Sequence, residues 1–193
     1  TMQVEHELTV EKIEFVNISN YAEINAITSR NLELLKNQRE KTVYGSLLWV
    51  LDECKTSMGT RLLKRFINNP LLNVHKIRKR QEDVQYFIDN ILIREDLREK
   101  LEDIYDLERL LGKIIFGSEN GKDLTALKKT IKSAVEIMKI LGNTDFFKDI
   151  DANILFECYK IIDDSIKEDA PFSVREGGII KSVSYTHLRA HET

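Results

Sequence analysis

The chain has 193 residues and a formal net charge of −3, with 42% hydrophobic and 32% charged residues, the balance of an ordinary globular domain. The slight acidic excess excludes a strongly basic nucleic-acid surface, so any DNA contact must rest on local patches or on parts outside the chain. Two cysteines without a metal or disulfide pattern, no apolar run near the roughly 20 residues of a membrane helix and no secretory leader predict a cytoplasmic protein without a membrane partner.

The chain begins with a segment whose structure the sequence leaves open. Its apolar residues fit either a short strand or a linker, and they are Ile13, Phe15, Val16 and Ile18. Helical signals dominate from Thr28 onward. Ser46 is a typical N-cap for a short helix, and Thr56 is one for a longer helix, which Pro70 ends.

Apolar residues at three- and four-residue steps predict the remaining helices. One pattern starts at Val74, breaks after Ile91 and continues to Ile104. The next helix closes at Gly117, the longest covers residues 123–141, and the last covers residues 154–166. The sequence therefore predicts a mainly α fold, a bundle of five or six helices with a short strand-like N-terminal segment.

The last residues, 183–193, have no helical stripe that would join them to the bundle. They resemble the translated adapter sequence sometimes left at the ends of assembled genes. We therefore expect residues 183–193 to be a non-native tail.

Three glycine-rich stretches partly match the sequence of a phosphate-binding loop, which needs Gly, four residues and then Gly-Lys-Ser/Thr. Residues 117–123 are one residue short and have Asp123 where the hydroxyl belongs. Residues 112–118 have Ser118 instead of the lysine, and residues 178–182 lack the loop. Glycines at turns and helix ends are the simpler interpretation, so we expect no cofactor-binding site and no ATP hydrolysis by this chain.

Metal-ligating and catalytic patterns are equally weak. His187 and His191 have the i,i+4 spacing of a metal pair, but they lie in the foreign-looking tail. The carboxylate pairs at 102–103 and 163–164 do not face each other on a helix, so we interpret them as solvated faces. No serine or cysteine has the partners of an activated nucleophile. We therefore expect no metal site and no catalytic site.

Two basic clusters are the best candidates for contact with nucleic acid, since phosphate contact needs several cations on one face. In the first, Ile77 points inward and Lys76, Lys79 and Arg80 share an outer face. The second consists of Arg61, Lys64 and Arg65. Because acidic residues surround both clusters, solvated helix faces are the simpler interpretation.

Seven short segments follow one another in a specific order. They are Thr28-Ser29-Arg30-Asn31-Leu32-Glu33-Leu34, Ser46-Leu47-Leu48-Trp49-Val50-Leu51-Asp52, Thr56-Ser57-Met58-Gly59-Thr60-Arg61-Leu62-Leu63, Pro70-Leu71-Leu72, Asp106-Leu107-Glu108-Arg109, Lys122-Asp123-Leu124 and Arg175-Glu176-Gly177-Gly178-Ile179-Ile180. Over about residues 17–182 this series resembles the core domain of the MutS family of DNA mismatch-repair ATPases. We expect Gly59 to allow another backbone to approach, Arg30 and Asn31 to satisfy backbone groups at a strand-to-loop join, and Gly177-Gly178 to permit a sharp chain exit.

Some residues depart from the family pattern. Glu23 and Asn25 replace a common methionine and aspartate, Ser29 replaces an arginine, and Phe66 replaces a frequent tryptophan. These changes affect packing detail. The family's Gly-Tyr continuation does not follow residue 182.

The resemblance implies that residues 1–20 end a connector region and that residues 21–182 form the first half of a core, or lever, domain that ends at the entry to a DNA clamp. It implies a bacterial parent that binds mismatched double-stranded DNA as a homodimer, uses ATP and Mg, and acts with a MutL-type repair partner. This fragment would transmit between DNA binding and the ATPase, with no cofactor of its own. The alternative is a stand-alone helical scaffold for protein–protein interaction.

Overall fold

The computed structural model describes residues 20–142, 145–147, 150–168, 171 and 178–181. The helices in these ranges are α1 (Ala26–Asn31), α2 (Leu47–Leu51), α3 (Ser57–Asn68), α4 (Val74–Asp89), α5 (Ile91–Glu102), α6 (Leu107–Ile115), α7 (Gly121–Leu141) and α8 (Ala152–Ser165), with a 3₁₀ turn at Asp145–Phe147. Isolated antiparallel bridges join Tyr21 to Leu71 and Ile166 to Ile180. The mainly α fold is confirmed. The expected strand-like segment and residues 183–193 lie outside the described residues.

Side-chain caps start the first helices where the sequence predicted them. The Ser46 hydroxyl accepts a hydrogen bond from the Trp49 backbone N–H at 3.2 Å, and the Thr56 hydroxyl accepts one from Gly59 at 3.0 Å. α4 ends at Asp89, two residues before the expected break after Ile91. Asn90 donates its side-chain amide to the Tyr86 carbonyl at 2.8 Å and closes α4, so Ile91 begins α5.

Local backbone geometry fixes the two ends of the turn between α6 and α7. Gly117 has a left-handed φ of 61°, and the N–H groups of Gly117 and Ser118 donate to the carbonyls of Ile114 and Lys113. This pairing is a Schellman C-cap. α7 begins at Gly121 instead of Asp123, because the side chains of Asn120 and Asp123 each accept the other's backbone N–H.

α7 is the central helix, and α5, α6 and α8 pack against it. Near its C-terminus Leu97, Ile137 and Leu141 form a buried cluster. Near its N-terminus a second buried cluster consists of Leu110, Leu127 and Ile131. One helix therefore contributes to both apolar cores along its length.

The region of α1 to α3 corrects two expectations. Arg30 and Asn31 belong to α1 and not to a strand-to-loop join, because Asn25 accepts the Thr28 N–H and starts a helix there. A Cβ at Gly59 would meet side chains, the Thr56 Oγ1 at 3.1 Å and the Cys54 Cβ at 3.3 Å, and not an approaching backbone. The left-handed φ of 74° at Gly178 confirms the expected glycine geometry, whereas Gly177 is outside the described residues.

Candidate functional site

The glycine-rich turn between α6 and α7 is built as a helix cap and does not suit a phosphate. The Asp123 carboxylate lies at the N-terminus of α7, where it accepts the Asn120 N–H at 3.1 Å. The same carboxylate receives two hydrogen bonds from the Lys113 ammonium, at 2.7 and 2.8 Å. A negative charge thus occupies the position that a phosphate would take, and the Lys113 ammonium is paired with it. These residues do not fit ATP and Mg, and the absence of a nucleotide site elsewhere in the chain stays a prediction.

Three of the neighbouring carboxylates that the sequence suggested were solvated are partly exposed and also form ion pairs, which the sequence did not predict. Glu102 accepts from the Lys55 ammonium at 2.7 Å, and Asp103 pairs with Lys129 at 2.6 Å. Asp163 pairs with Lys128 at 3.0 Å. Glu102 and Asp103 contact different parts of the chain, Lys55 before α3 and Lys129 of α7, so these two carboxylates do not face each other as an acid–base couple would.

These ion pairs follow α7 along its length and join it to each helix that packs on it. Lys113 of α6 pairs with Asp123, and Lys100 of α5 pairs with Glu136 at 3.2 Å. The hydrogen bond and the charge of Glu136 raise the pKa of Lys100, and Asp103 likewise raises that of Lys129. The hydrogen bond from Lys128 lowers the pKa of Asp163. These three groups therefore stay charged near neutral pH.

Arg61 of α3 bridges two carboxylates at the start of α6. Its guanidinium donates to both Asp106 oxygens, at 2.6 and 2.9 Å, and to Glu108 at 2.6 Å. Ser57 donates to the same Asp106 carboxylate at 3.2 Å. The bond from Arg61 holds the pKa of Asp106 well below its usual range, and the bond to Asp106 raises that of Arg61. Asp106 also caps α6 through the Arg109 N–H, so this contact joins α3 to the start of α6.

The two basic clusters are partly used inside the fold. Arg61 of the second cluster is held by carboxylates, and Arg80 of the first lies over the Phe66 ring with its guanidinium carbon 3.7 Å from the ring centre. Lys79 pairs with Asp83 of its own helix at 3.2 Å. Lys76 is an exposed cation of the first cluster, whereas Lys79 and Arg80 are engaged within the fold, and this geometry does not favour a nucleic-acid interface there.

The histidines were the remaining candidates for metal binding. His75 is an exposed residue of α4, and His187 and His191 lie outside the described residues. Within the described ranges no group of three or more His, Cys, Asp or Glu side chains could hold a metal ion. No helix in those ranges is both long and apolar enough to cross a membrane.

Comparison with known proteins points to one family. Residues 27–192 match the family model described as MutS domain III. The chain belongs to the MutS domain III family. A relative from Fusobacterium nucleatum subsp. nucleatum, named DNA mismatch repair protein MutS, is 49% identical over 183 residues, which are 93% of this chain and 20% of that protein.

Further relatives carry the same name. One from Bacillus velezensis is 39% identical over 176 residues, which cover 89% of this chain and 20% of the relative. One from Clostridium botulinum (strain Okra / Type B1) is 42% identical over 176 residues, covering 89% of this chain and 19% of the relative. The chain thus spans about a fifth of the length of the curated relatives it matches. The resemblance read from the sequence is confirmed, and the chain is a piece of a MutS-type protein.

The family segments take architectural positions in the fold. The segment at 28–34 ends α1 and leads to the buried Leu34, and the segment at 46–52 contains α2 with the buried Leu48. The segment at 106–109 supplies the partner of Arg61. Sequence reasoning missed this partner, because Arg61 and Asp106 are far apart in the chain and charge alone does not identify a partner. The Asp106 N-cap position was the one available signal.

Proposed function

We propose that this chain is the helical part of a DNA mismatch-repair protein that transmits between DNA binding and an ATPase located elsewhere in that protein. The observation that carries the proposal is the match to MutS domain III over residues 27–192, made by a chain that covers only 20% of a 49% identical MutS relative. Nothing in the fold favours the alternative of a free-standing scaffold.

The central helix supplies the physical basis for transmission. α7 has 21 residues and rises roughly 31 Å at about 1.5 Å per residue. Both buried clusters contain residues of α7, and ion pairs attach it to α5, α6 and α8. A helix held on several sides moves as a unit, so a displacement at one end is transmitted to the other.

The proposal extends to the whole protein. Its substrate would be mismatched double-stranded DNA, bound by a homodimer in the bacterial cytoplasm, and its cofactors would be ATP and Mg held by domains outside this chain. A MutL-type repair protein would be its partner. Residues 1–20 would end a connector, residues 21–182 would form the first half of the core domain, and residues 183–193 would be a non-native tail.

A chimaera tests the proposal. Residues 27–181 replace the matching segment of the Fusobacterium nucleatum relative, and the purified chimaera is assayed for binding of a mismatched duplex, for ATP hydrolysis and for the change in hydrolysis rate that the duplex causes. We expect all three to resemble the parent. A folded chimaera that binds and hydrolyses but does not respond to the mismatch would contradict the proposal.

A matched pair of variants isolates α7. Lys132 is an exposed residue in the middle of α7. Lys132→Pro removes a helical hydrogen bond and breaks the helix, whereas Lys132→Ala keeps it. In the chimaera, the proline variant is expected to keep DNA binding and basal hydrolysis while the response of hydrolysis to the mismatch is lost, and the alanine variant is expected to keep all three.

A further inference from the structure

A broad groove lies between α1, the loop of residues 32–45 and the end of α3. Its volume is about 700 Å³, which is within the range of small-molecule sites. Three cationic residues line it, Arg30, Lys36 and Lys41, together with four Asn and Gln residues. No carboxylate is among the described residues of this lining.

The charge of this region is opposite in sign to that of the chain. Residues 29–45 contain four cationic residues, Arg30, Lys36, Arg39 and Lys41, and two acidic ones, Glu33 and Glu40, so the local net charge is +2 against −3 for the whole chain. Glu33 is engaged, since its carboxylate accepts the Gln38 backbone N–H at 2.7 Å. The field of the groove is therefore positive and suited to an anion.

Hydrogen bonds hold the loop in one conformation. The Asn37 amide donates to the Thr42 hydroxyl at 3.1 Å and to the Tyr44 carbonyl at 2.8 Å, and its oxygen accepts the Glu40 N–H at 2.7 Å. Glu33 and Lys41 have left-handed φ values of 51° and 56°, which non-glycine residues rarely adopt. Such conformations persist where the surroundings impose them, and they are concentrated at binding sites.

We propose that this groove binds phosphate groups, either those of a nucleic-acid backbone or those of a free polyphosphate. The Arg30 guanidinium and the ammonium groups of Lys36 and Lys41 supply charge-assisted hydrogen bonds. No aromatic residue is among the described residues that line the groove, so base stacking does not contribute to the proposed recognition. This proposal does not depend on the proposed mismatch-repair function, so evidence against that function would leave phosphate binding by the groove still to be tested.

The single tryptophan of the chain gives a direct readout. The Trp49 ring lies 4.7 Å from the ring of Tyr44, whose carbonyl accepts a hydrogen bond from Asn37 in the loop. Occupation of the groove is therefore expected to change Trp49 fluorescence. The 193-residue chain is titrated separately with sodium tripolyphosphate, a short DNA duplex and polyglutamate, each at several salt concentrations.

We expect a saturable change with tripolyphosphate or with the duplex, and the tighter of the two identifies the source of the phosphate. The logarithm of the affinity for the duplex is expected to fall linearly with the logarithm of salt concentration. Binding of polyglutamate as tightly as either phosphate probe would overturn the proposal, because the groove would then select charge and not phosphate. Absence of saturation with both phosphate probes at millimolar concentration would overturn it as well.

Matched triple variants locate the site. Replacing Arg30, Lys36 and Lys41 by Gln is expected to weaken duplex binding by on the order of tenfold per lost contact at about 0.1 M salt. The control replaces Arg78, Lys132 and Lys139 by Gln, which removes the same charge at exposed positions away from the groove. Equal losses in the two triple variants would overturn the assignment. Circular dichroism checks that each triple variant is folded. If the groove triple variant unfolds, the single variant Lys36→Gln, at an exposed position, is measured in its place.

Discussion

The Arg61 guanidinium holds two carboxylates at the start of α6, and this contact shows how a charged residue acts in this chain. Charge and spacing made Arg61 a candidate for DNA contact, but its bidentate bond to Asp106 commits it to the fold. Arg80 is likewise stacked on Phe66. The sequence therefore identifies the charged residues. It does not identify their ion-pair partners, because those partners belong to another element of the fold.

The paired carboxylate predicts a pH dependence. Because Arg61 lowers the pKa of Asp106 in the folded chain below its unfolded value of about 4, the stabilisation is present above that pH and is lost as pH falls through the lowered pKa. Asp106→Asn keeps an N-cap side chain but removes the charge. We expect the variant to melt at a lower temperature than the parent at pH 7, and the difference to shrink below about pH 4.

Thermal unfolding followed by circular dichroism from pH 7 to acid conditions measures this difference. Asp96→Asn is the control, since Asp96 is an exposed residue of α5. A difference between the parent and Asp106→Asn that is independent of pH, or no larger than that of Asp96→Asn, would contradict the prediction.

At the scale of helices, the sequence predicted what is decided locally. Ser46 and Thr56 cap where expected, and Gly117 and Gly142 close their helices, because a cap depends only on residues three or four positions away. The packing around α7 was not predictable. Thr130 is buried, with only 3% of its surface exposed. The sequence shows a polar residue within an apolar stripe, but it does not show which group that residue hydrogen-bonds.

Thr130 connects α7 to the loop before α6. Its hydroxyl donates to the Ala126 carbonyl at 2.9 Å and accepts the Tyr105 backbone N–H at 3.1 Å. Thr130→Val keeps the shape and leaves that N–H without its acceptor, so we expect a loss of about 1–3 kcal/mol in the free energy of unfolding. Urea denaturation measures it, with the slope of the transition checked for two-state behaviour.

Thr125→Val is the matched control on the same helix. The Thr125 hydroxyl donates to the Gly121 carbonyl at 3.0 Å, which is a bond within α7 and not to another element. We expect this substitution to change stability by no more than about 0.5 kcal/mol. Equal effects at the two positions would show that the bond to Tyr105 contributes nothing.

At the scale of the whole molecule, the described chain buries little of its apolar surface. Eight hydrophobic side chains are buried, while 26 large ones are exposed. Several of the latter belong to neighbouring positions, such as Trp49 and Val50 of α2 and Ile115 and Phe116 at the end of α6. Helical periodicity in the sequence predicts which residues share an apolar face, but it does not show which faces find a partner within the chain.

This exposed surface predicts self-association of the isolated chain. Phe116 is 85% exposed and Ile115 78%, and exposed apolar side chains at adjacent positions promote contact between molecules. We expect the average mass measured by sedimentation velocity to rise with protein concentration. Phe116→Glu should reduce this association, whereas Ser118→Glu, which adds the same charge nearby without removing an apolar ring, should reduce it less. A monomer at every concentration, with a cooperative melt, would contradict the prediction, and so would equal effects of the two glutamates, since charge repulsion alone would then explain them.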